Sequence, residues 1–131
     1  MFTIGAFAVI LDKERRVLFC HRRDRDLWNL PGGRVQAYEA PWEGVVREVK
    51  EEVGLTIKPE RLIDISSKPL HREIVLTFLC LVARGKPKLS DEADAIVFFS
   101  LSELPEKISL RQRERVVDFF QNPDGIVWRK H

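Results

Sequence analysis

The segment REVKEEVG, residues 47–54, places three carboxylates close together, those of Glu48, Glu51 and Glu52. On a helix these positions fall in one arc, because residues three and four apart share a face. Like charges at this spacing cost about 0.2–0.5 kcal/mol per pair. Acids in the last turn also oppose the helix dipole, by about 0.3–1 kcal/mol each. A bound cation is the simplest chemistry that offsets both costs.

Arg47 supplies only part of the positive charge that these acids need. Glu43, Arg47 and Glu51 are spaced four residues apart, which predicts a ladder of ion pairs along the neighbouring face. One arginine cannot balance four acids, so a divalent cation with oxygen ligands is the remaining candidate. Mg2+ binds a few carboxylates, keeps several waters and is often shared with substrate phosphates. The alternative is a solvated, charged surface helix, which EVKEE taken alone would favour.

A helix over residues 40–53 is predicted to position these acids. An apolar stripe at helical spacing gives it a core-facing side, formed by Trp42, Val45, Val46, Val49 and Val53. Pro41 suits the first turn, and Gly54 suits a left-handed stop. The acids border this stripe, so they are expected to lie beside the core and to face a gap at its edge.

Apolar and β-branched runs predict the strands around this helix, at 3–11, 16–23, 61–67, 73–83 and 95–101. The first two are joined by a polar turn, which indicates a hairpin. Pro31, Gly32 and Gly33 then mark a loop. The mixture of strands and helices in one short chain favours an α/β fold, with a sheet between helices.

A second helix is predicted over residues 109–121. Its inward side is expected to consist of Val116, Val117 and Phe120. Its outward side is expected to carry Arg111, Arg113 and Arg115. The final segment, IVWRKH at 126–131, has a pattern that predicts neither a helix nor a strand.

Length and composition limit the class of protein. The chain has 131 residues, 44% of them hydrophobic and 32% charged, which predicts one globular, soluble domain over 1–131. The net charge is +2 and no block of five like charges occurs, so neither a nucleic-acid polymer nor a membrane is an expected partner. The apolar start is about half the length of a membrane span and reads as a strand. Cys20 and Cys80 lack metal-binding spacing, so we expect both to be reduced thiols, which suits a cytoplasmic protein. We expect the chain to be a monomer or a homodimer.

Nine positions around the acids fit one longer pattern, G-x5-E-x7-R-E-U-x-E-E-x-G-U, where U is a bulky aliphatic residue. They are Gly33, Glu39, Arg47, Glu48, Val49, Glu51, Glu52, Gly54 and Leu55. The set resembles the signature box of the Nudix hydrolases in every defining position, and chance would produce it about once in a billion starting points. WNLPGG before the box and DEADAIVFFSLSELPE after it extend the resemblance. Gln36 and Tyr38 depart from it, since many members carry Glu and Gly there.

The resemblance implies a Nudix-type α/β/α sandwich with a mixed β-sheet between helices. It also implies metal-dependent hydrolysis of the diphosphate bond of a nucleoside diphosphate linked to another moiety, with Mg2+ or Mn2+ as cofactor. The metal ligands or bases would be Glu48, Glu51 and Glu52, with Glu48 taken as the base. The carbonyl of Gly32 would be a further ligand. Glu92 would supply another acid, unless its acidic segment is simply a solvated turn.

The resemblance leaves two interpretations for the residues around these acids. Arg47 and Glu39 would form a pair that supports the loop, in preference to acting on the substrate directly. Arg22, Arg23 and Arg25 would neutralise substrate phosphates or form a solvated rim.

Aromatic and histidine side chains near the box have similar alternatives. Tyr38 would lean over the substrate or pack, and Gly33 would shape the loop beside it. Trp28 is expected to pack beneath that loop in preference to stacking on a base. His21 and His71 are expected to be ordinary strand residues and not bases.

The resemblance leaves the substrate open. A nucleoside triphosphate or modified deoxynucleotide, cut to a monophosphate and pyrophosphate, is slightly preferred, because the chain has little room for the extra subdomain of larger ADP-ribose-cleaving relatives. ADP-ribose, a nucleotide sugar and a dinucleoside polyphosphate are alternatives, and so is a non-catalytic module that senses a nucleotide. A purely structural role would require all three acids to be solvated.

Overall fold

The computed structural model describes residues 1–131, in eight strands and two helices. The strands are β1 (Thr3–Ile10), β2 (Val17–Arg22), β3 (Trp28–Asn29), β4 (Gly32–Arg34), β5 (Thr56–Lys68), β6 (Glu73–Arg84), β7 (Ala93–Phe99) and β8 (Val127–Lys130). The helices are α1 (Pro41–Val53) and α2 (Leu110–Gln121), and short 3-10 turns lie at Pro69–His71 and Leu101–Glu103. All predicted helices and strands are therefore present, with shifted ends. Neither helix has the length and apolar character needed to cross a bilayer.

The strands form a mixed five-stranded sheet and a smaller antiparallel one. In the first, the order is β4-β1-β6-β5-β8, with β1 parallel to β6 and β8 parallel to β5. In the second, β2 lies between β3 and β7. The strand that carries the two glycines, β4, is thereby fixed at the edge of the larger sheet beside β1.

Alternating residues of β1 pack against different helices. Ala6, Ala8 and Ile10 belong to the core cluster that contains the buried valines of α1. Val9 belongs to a second cluster, which contains Phe119 of α2. Because alternate residues of a strand point to opposite faces, α1 and α2 cover opposite sides of the sheet. The predicted α/β/α sandwich around a mixed sheet is therefore confirmed.

The predicted hairpin between the first two strands is wrong. β1 and β2 lie in different sheets, and only an isolated bridge between Leu11 and Val17 joins them. The polar turn itself is present, since Asp12 accepts hydrogen bonds from the backbone NH groups of Glu14 and Arg16 at 3.0 and 2.8 Å. A local turn thus forms, but the strands separate beyond it, because β6 pairs along one edge of β1 and β4 pairs along part of the other.

Two segments without a predicted strand join the larger sheet. The glycines of the predicted loop form β4, in which Gly33 pairs with Ala6. The final segment forms β8, parallel to β5, with Val127 opposite Asp64. Sequence patterns missed both strands because three or four residues are too few to show a clear alternation.

The apolar side of each helix differs from the prediction at its margins. Trp42 is 57% exposed, although it continues the valine stripe of α1. On α2, Phe119 is buried while Phe120 is only partly so, and Arg115, expected outward, is 4% exposed. Spacing predicts the angle of a stripe, whereas neighbouring elements decide how much of the helix is covered. Arg115 can be buried because its Nε lies 3.6 Å from a carboxylate oxygen of Asp64.

Candidate active site

The two ends of α1 fix where its acids lie. At the start, the backbone NH of Ala40 donates to Glu43 Oε1 at 2.8 Å, so this carboxylate caps the helix. At the end, Gly54 adopts a φ of 76°, and its NH donates to the carbonyl of Lys50 at 3.1 Å. The predicted ion pair between Glu43 and Arg47 does not form, because Arg47 binds other acids.

Glu52 points inward from the last turn of α1 and is only 8% exposed. Its Oε1 accepts a hydrogen bond from the NH of Gly32 at 3.3 Å, and its Oε2 lies 3.8 Å from the Cys20 thiol. Burial, followed by the neighbouring carboxylates of Glu48 and Glu92, raises the pKa of Glu52 well above its usual range. A charge at this position is therefore costly unless a cation joins it.

Three acids converge at this point, and we call Glu48, Glu52 and Glu92 the acid cluster. One carboxylate oxygen of each lies within 4.8 Å of the other two. Two of the acids come from α1, and the third comes from the loop before β7. The single ion pair of the cluster joins Arg47 Nη1 to Glu48 Oε1 at 3.1 Å. Hard oxygen donors at this spacing, with most of their charge unbalanced, fit a divalent cation such as Mg2+ or Mn2+.

The two glycines of β4 make room for the acid cluster. A Cβ at Gly33 would lie 2.7–2.9 Å from the carboxylate atoms of Glu48, closer than a side chain can approach. Gly32 has a φ of 152°, and a Cβ there would lie 2.3 Å from the carbonyl of Ala6. The tight loop predicted for these glycines is wrong, since both belong to β4 and let its backbone pass close to its neighbours.

Arg47 ties α1 to the segment that precedes it. Its guanidinium binds Glu39 through two hydrogen bonds, Nε to Oε2 at 2.8 Å and Nη2 to Oε1 at 3.0 Å. The same Nη2 donates to the carbonyl of Arg34 at 3.1 Å. Hydrogen bonds from Arg47, and then from the backbone NH of Gln36, hold the pKa of Glu39 at about 2. The predicted contact between Arg47 and Glu39 is therefore present and links the loop to Glu48.

Glu52 and Glu92 of the acid cluster line a cavity of about 690 Å3, within the usual range of small-molecule sites, about 300–1,000 Å3. Arg22 and Arg23 also line this cavity. Arg22 forms a bidentate pair with Asp24, at 2.7 and 2.6 Å, and Arg23 Nε donates to the carbonyl of Ser90 at 2.8 Å. Both guanidiniums are thus held at the rim, and their remaining N–H groups are available to an anionic ligand.

Among the predicted site residues, Glu51, Tyr38 and Arg25 neither line this cavity nor join the acid cluster. The side chain of Glu51 is 55% exposed, and its carboxylate approaches Arg47 Nη1 at 3.4 Å instead of joining the acid cluster. Tyr38 has a left-handed backbone, with φ 67°, and its side chain is fully exposed. Arg25 is also exposed and does not line the cavity.

Ser90 joins two members of the acid cluster, although no sequence pattern indicated it. Its Oγ donates to the carbonyl of Glu52 at 2.7 Å and accepts a hydrogen bond from the NH of Glu92 at 3.2 Å. The hydroxyl therefore connects the end of α1 to the loop that carries the third acid. A lone serine in a polar loop gives no periodic signal, so only the fold reveals this contact.

His21 and Trp28 lie opposite each other on β2 and β3 of the smaller sheet. His21 is a strand residue, as predicted, and its two nitrogens lie 2.9 and 2.8 Å from Asp26 and Asp94. Hydrogen bonds with these two acids raise the pKa of His21. Trp28 packs edge-on against His21 and against Phe99, with ring centroids 5.0 and 5.1 Å apart. The prediction that Trp28 packs is therefore confirmed.

Comparisons with known proteins agree with this geometry. The chain matches the family model described as the NUDIX domain over residues 1–119. It is 32% identical over 123 residues to an ADP-ribose pyrophosphatase of Methanocaldococcus jannaschii, spanning 88% of this chain and 72% of that protein. It is 36% identical over 91 residues to the 8-oxo-dGDP phosphatase NUDT18 of Homo sapiens, spanning 67% and 28%. Its structure is similar to that of an ADP-ribose pyrophosphatase from Streptococcus suis 89-1591, with a TM-score of 0.80, 27% identity and 100% of both chains covered.

The matched region of the family model includes every residue of the acid cluster. A solvated, purely structural role for all three box acids is set aside, because Glu48 and Glu52 converge with Glu92, and Glu52 and Glu92 line the cavity. The chain therefore belongs to the Nudix hydrolase family and is a pyrophosphohydrolase.

Proposed function

We propose that the chain uses Mg2+ or Mn2+ to hydrolyse the diphosphate bond of a nucleoside diphosphate linked to another moiety. The observation that carries this proposal is the convergence of the acid cluster within 4.8 Å, with Glu52 and Glu92 lining a cavity of about 690 Å3. Three acids with one arginine contact leave negative charge that a divalent cation would balance.

The acid cluster would hold the ion, with the Gly32 carbonyl as a further ligand and Glu51 on the outer side. A bound Mg2+ or Mn2+ supplies charge stabilisation for phosphoryl oxygens and lowers the pKa of water. Arg22 and Arg23 bind nonbridging phosphate oxygens from the rim, since one guanidinium can donate two parallel hydrogen bonds. The metal ion is thus assigned to the acid cluster, and the phosphate oxygens are assigned to Arg22 and Arg23 at the rim of the same cavity.

Glu48 is the proposed general base. Its Oε1 accepts from Arg47 at 3.1 Å, which leaves Oε2 to take the proton of the attacking water. The water oxygen forms a bond to phosphorus while the bridging P–O bond breaks, and the leaving phosphate departs with the electron pair. Arg47 and Glu39 keep the base in position, and the space beside Gly33 admits its carboxylate.

A nucleoside triphosphate or modified deoxynucleotide, cut to a monophosphate, is the first candidate substrate. The similarity to a human 8-oxo-dGDP phosphatase supports it. ADP-ribose is the second candidate, supported by the similarity to two proteins named ADP-ribose pyrophosphatases. In either case the partner is a small nucleotide and neither a nucleic-acid polymer nor a membrane.

The proposed cellular setting is the cytoplasm. Cys20 and Cys80 are both buried and free, which suits a reducing compartment. We also propose that residues 1–131 act as a single domain, as a monomer or homodimer.

Product analysis on a nucleotide panel tests the proposed reaction. The chain is incubated with nucleoside triphosphates, ADP-ribose, a nucleotide sugar and a dinucleoside polyphosphate, with Mg2+ or Mn2+ and then with a chelator. We expect a nucleoside monophosphate from at least one compound, and no product with the chelator. Nucleotide binding without product from any compound would instead support the nucleotide-sensing alternative.

A further inference from the structure

The cavity is also lined by uncharged side chains that the proposed mechanism does not use. The amides of Asn29 and Gln112, the hydroxyl of Ser109 and the ring of Phe7 line it. Hydrogen-bonding amides beside an aromatic ring are the groups that proteins use to bind a nucleobase. Gln112 is the most buried of the two amides, at 6% exposure, and lies in the first turn of α2.

The orientation of the Gln112 amide is fixed by its surroundings. The backbone NH of Leu30 lies 2.8 Å from one terminal atom of the side chain. A backbone NH can only donate, so this terminal atom must be the oxygen Oε1. The amide nitrogen Nε2, which carries two donors, takes part in no hydrogen bond with the protein and is not one of its fully enclosed unpartnered atoms.

The segment that donates this hydrogen bond also touches the acid cluster. Leu30 binds Gln112, and two residues later the NH of Gly32 binds Glu52 at 3.3 Å. Two residues of extended chain span at most about 7 Å, so both ends of one nucleotide can be held along the same stretch of backbone. A phosphate chain at the acids would therefore bring an attached nucleoside toward Gln112.

We propose that Gln112 selects a nucleobase with a carbonyl acceptor at its edge, which favours a guanine nucleotide over an adenine nucleotide. Guanine presents two acceptors, O6 and N7, whereas adenine presents the N7 acceptor beside an amino donor. A free glutamine amide matches adenine, because it offers one donor and one acceptor. At Gln112 the NH of Leu30 holds Oε1 against the backbone and uses one of its two lone pairs, so Nε2 is the amide group left entirely free, and its two donors match guanine.

The inference rests on the proposed function and separates its two candidate substrates, since it disfavours ADP-ribose. Asn29 does not change the preference between guanine and adenine. Its side-chain amide makes no hydrogen bond with another protein group, so its orientation is not fixed. A rotatable amide can serve either base. Phe7 offers a ring face for stacking, which any base can use. Discrimination between bases is therefore assigned to Gln112.

The test compares GTP with ATP, and GDP-linked with ADP-linked sugars, in the wild-type chain and in two variants. Gln112→Glu keeps an acceptor for the NH of Leu30 but replaces the donors with an acceptor. Gln112→Met removes both functions at similar volume. We expect the wild type to prefer guanine in kcat/KM by about 5- to 150-fold, the range of one well-made base contact. Gln112→Glu should abolish or reverse this ratio, and Gln112→Met should bring it near one.

A ratio between bases isolates the inference from other effects. The negative charge added by Gln112→Glu affects the turnover of every nucleotide alike, so the charge by itself leaves the ratio of guanine to adenine turnover unchanged. A change in that ratio therefore reports the loss of the two donors. An equal preference for both bases in the wild type, or a guanine preference unchanged in Gln112→Glu, would overturn the role of Gln112. Absence of turnover with every nucleotide would overturn the proposed function instead, and calorimetric Kd values for GTP and ATP would then supply the same ratio.

Discussion

Two groups of charged residues in this molecule, each built around a buried acid, differ in how completely their charge is balanced. Beneath α2, Asp64 is 2% exposed, and its oxygens lie 3.6 Å from Arg115 Nε and 2.7 Å from Arg129 Nε. Arg129 also binds Asp118 of α2. We call these four residues the α2 charge network. Its two acids and two arginines cancel in formal charge, so the charge of the network is balanced within the chain.

The acid cluster is only partly buried, with Glu52 buried, Glu48 intermediate and Glu92 exposed, and its charge is not balanced. Its three carboxylates meet one guanidinium, that of Arg47, which is also shared with Glu39. Buried charge is retained only when something compensates for it. A balanced group therefore indicates a structural role, and an unbalanced group indicates a ligand that brings the missing charge. Substitutions in the two groups should accordingly have opposite effects on activity and stability.

Glu52→Gln should produce the largest loss of activity and little loss of stability. The amide removes a carboxylate that the ion requires, so we expect kcat/KM to fall on the order of 10²–10⁴-fold. Without metal, the free energy of unfolding should stay equal or rise, because glutamine has a similar size and replaces a carboxyl whose ionisation is opposed by burial and by Glu48 and Glu92. Steady-state kinetics and urea unfolding measure the two quantities. Retention of most of the activity would refute the assignment of Glu52.

Asp64→Asn should show the reverse pattern. It leaves Arg115 and Arg129 without their shared charge, which should lower the free energy of unfolding by about 3–5 kcal/mol. The kcat of the folded fraction should be unchanged. Glu114→Gln is the matched control, since Glu114 is 56% exposed and lies 3.8 Å from Arg129, and its loss should cost less than about 1 kcal/mol. Equal effects of the two substitutions in urea unfolding would contradict the distinction.

Added metal should stabilise the folded chain through the acid cluster and should not act on the α2 charge network. With Mg2+ at about 100 times its Kd, the unfolding free energy should rise by about 2.7 kcal/mol, because the ion binds only the folded chain. Asp64→Asn should gain the same increment, since its acid cluster is intact. Glu52→Gln should gain much less. Thermal unfolding with and without Mg2+ measures the three increments, and an equal gain in Glu52→Gln would locate the ion elsewhere.

The pair of Glu39 and Arg47 should give the smallest effect, visible in the pH dependence of stability. Its hydrogen bonds lower the pKa of Glu39 from 4.5 to about 2 in the folded chain. A depressed pKa contributes stability that is fully present above 4.5 and is lost as the pH falls toward 2. Glu39→Gln should therefore flatten the stability profile between these values. Urea unfolding across this range compares the profiles, and parallel curves would contradict the pairing.

The acid cluster was largely predictable because most of its signal is local. Glu48 and Glu52 share an arc through helical spacing alone, and the longer pattern around them resembles a known box. Glu92 could be proposed only from the resemblance of its flanking segment. Glu51 looks equivalent to its neighbours in sequence, yet its side chain turns to Arg47 and solvent. Spacing does not distinguish the edge of an arc from its centre.

The α2 charge network was not predictable, because its members meet only through the sheet. Arg129 reaches Asp64 because β8 runs parallel to β5, and a strand of four residues carries no periodic signal. The sequence pattern predicts Arg115 on the solvent side, and an arginine is rarely buried without a partner. Its partner is 51 positions earlier in the chain, so the sequence gives no local indication of the pair. The same limit applies to Gln112 and Leu30.

Diffraction from a crystal soaked in Mn2+ tests the balance of charge in the acid cluster most directly, because manganese can be located by its anomalous signal. The ion should lie between the carboxylates of Glu48, Glu52 and Glu92, and the peak should disappear in Glu52→Gln. The absence of a peak at these residues, at a Mn2+ concentration that supports turnover, would contradict the claim that the unbalanced acids hold the metal.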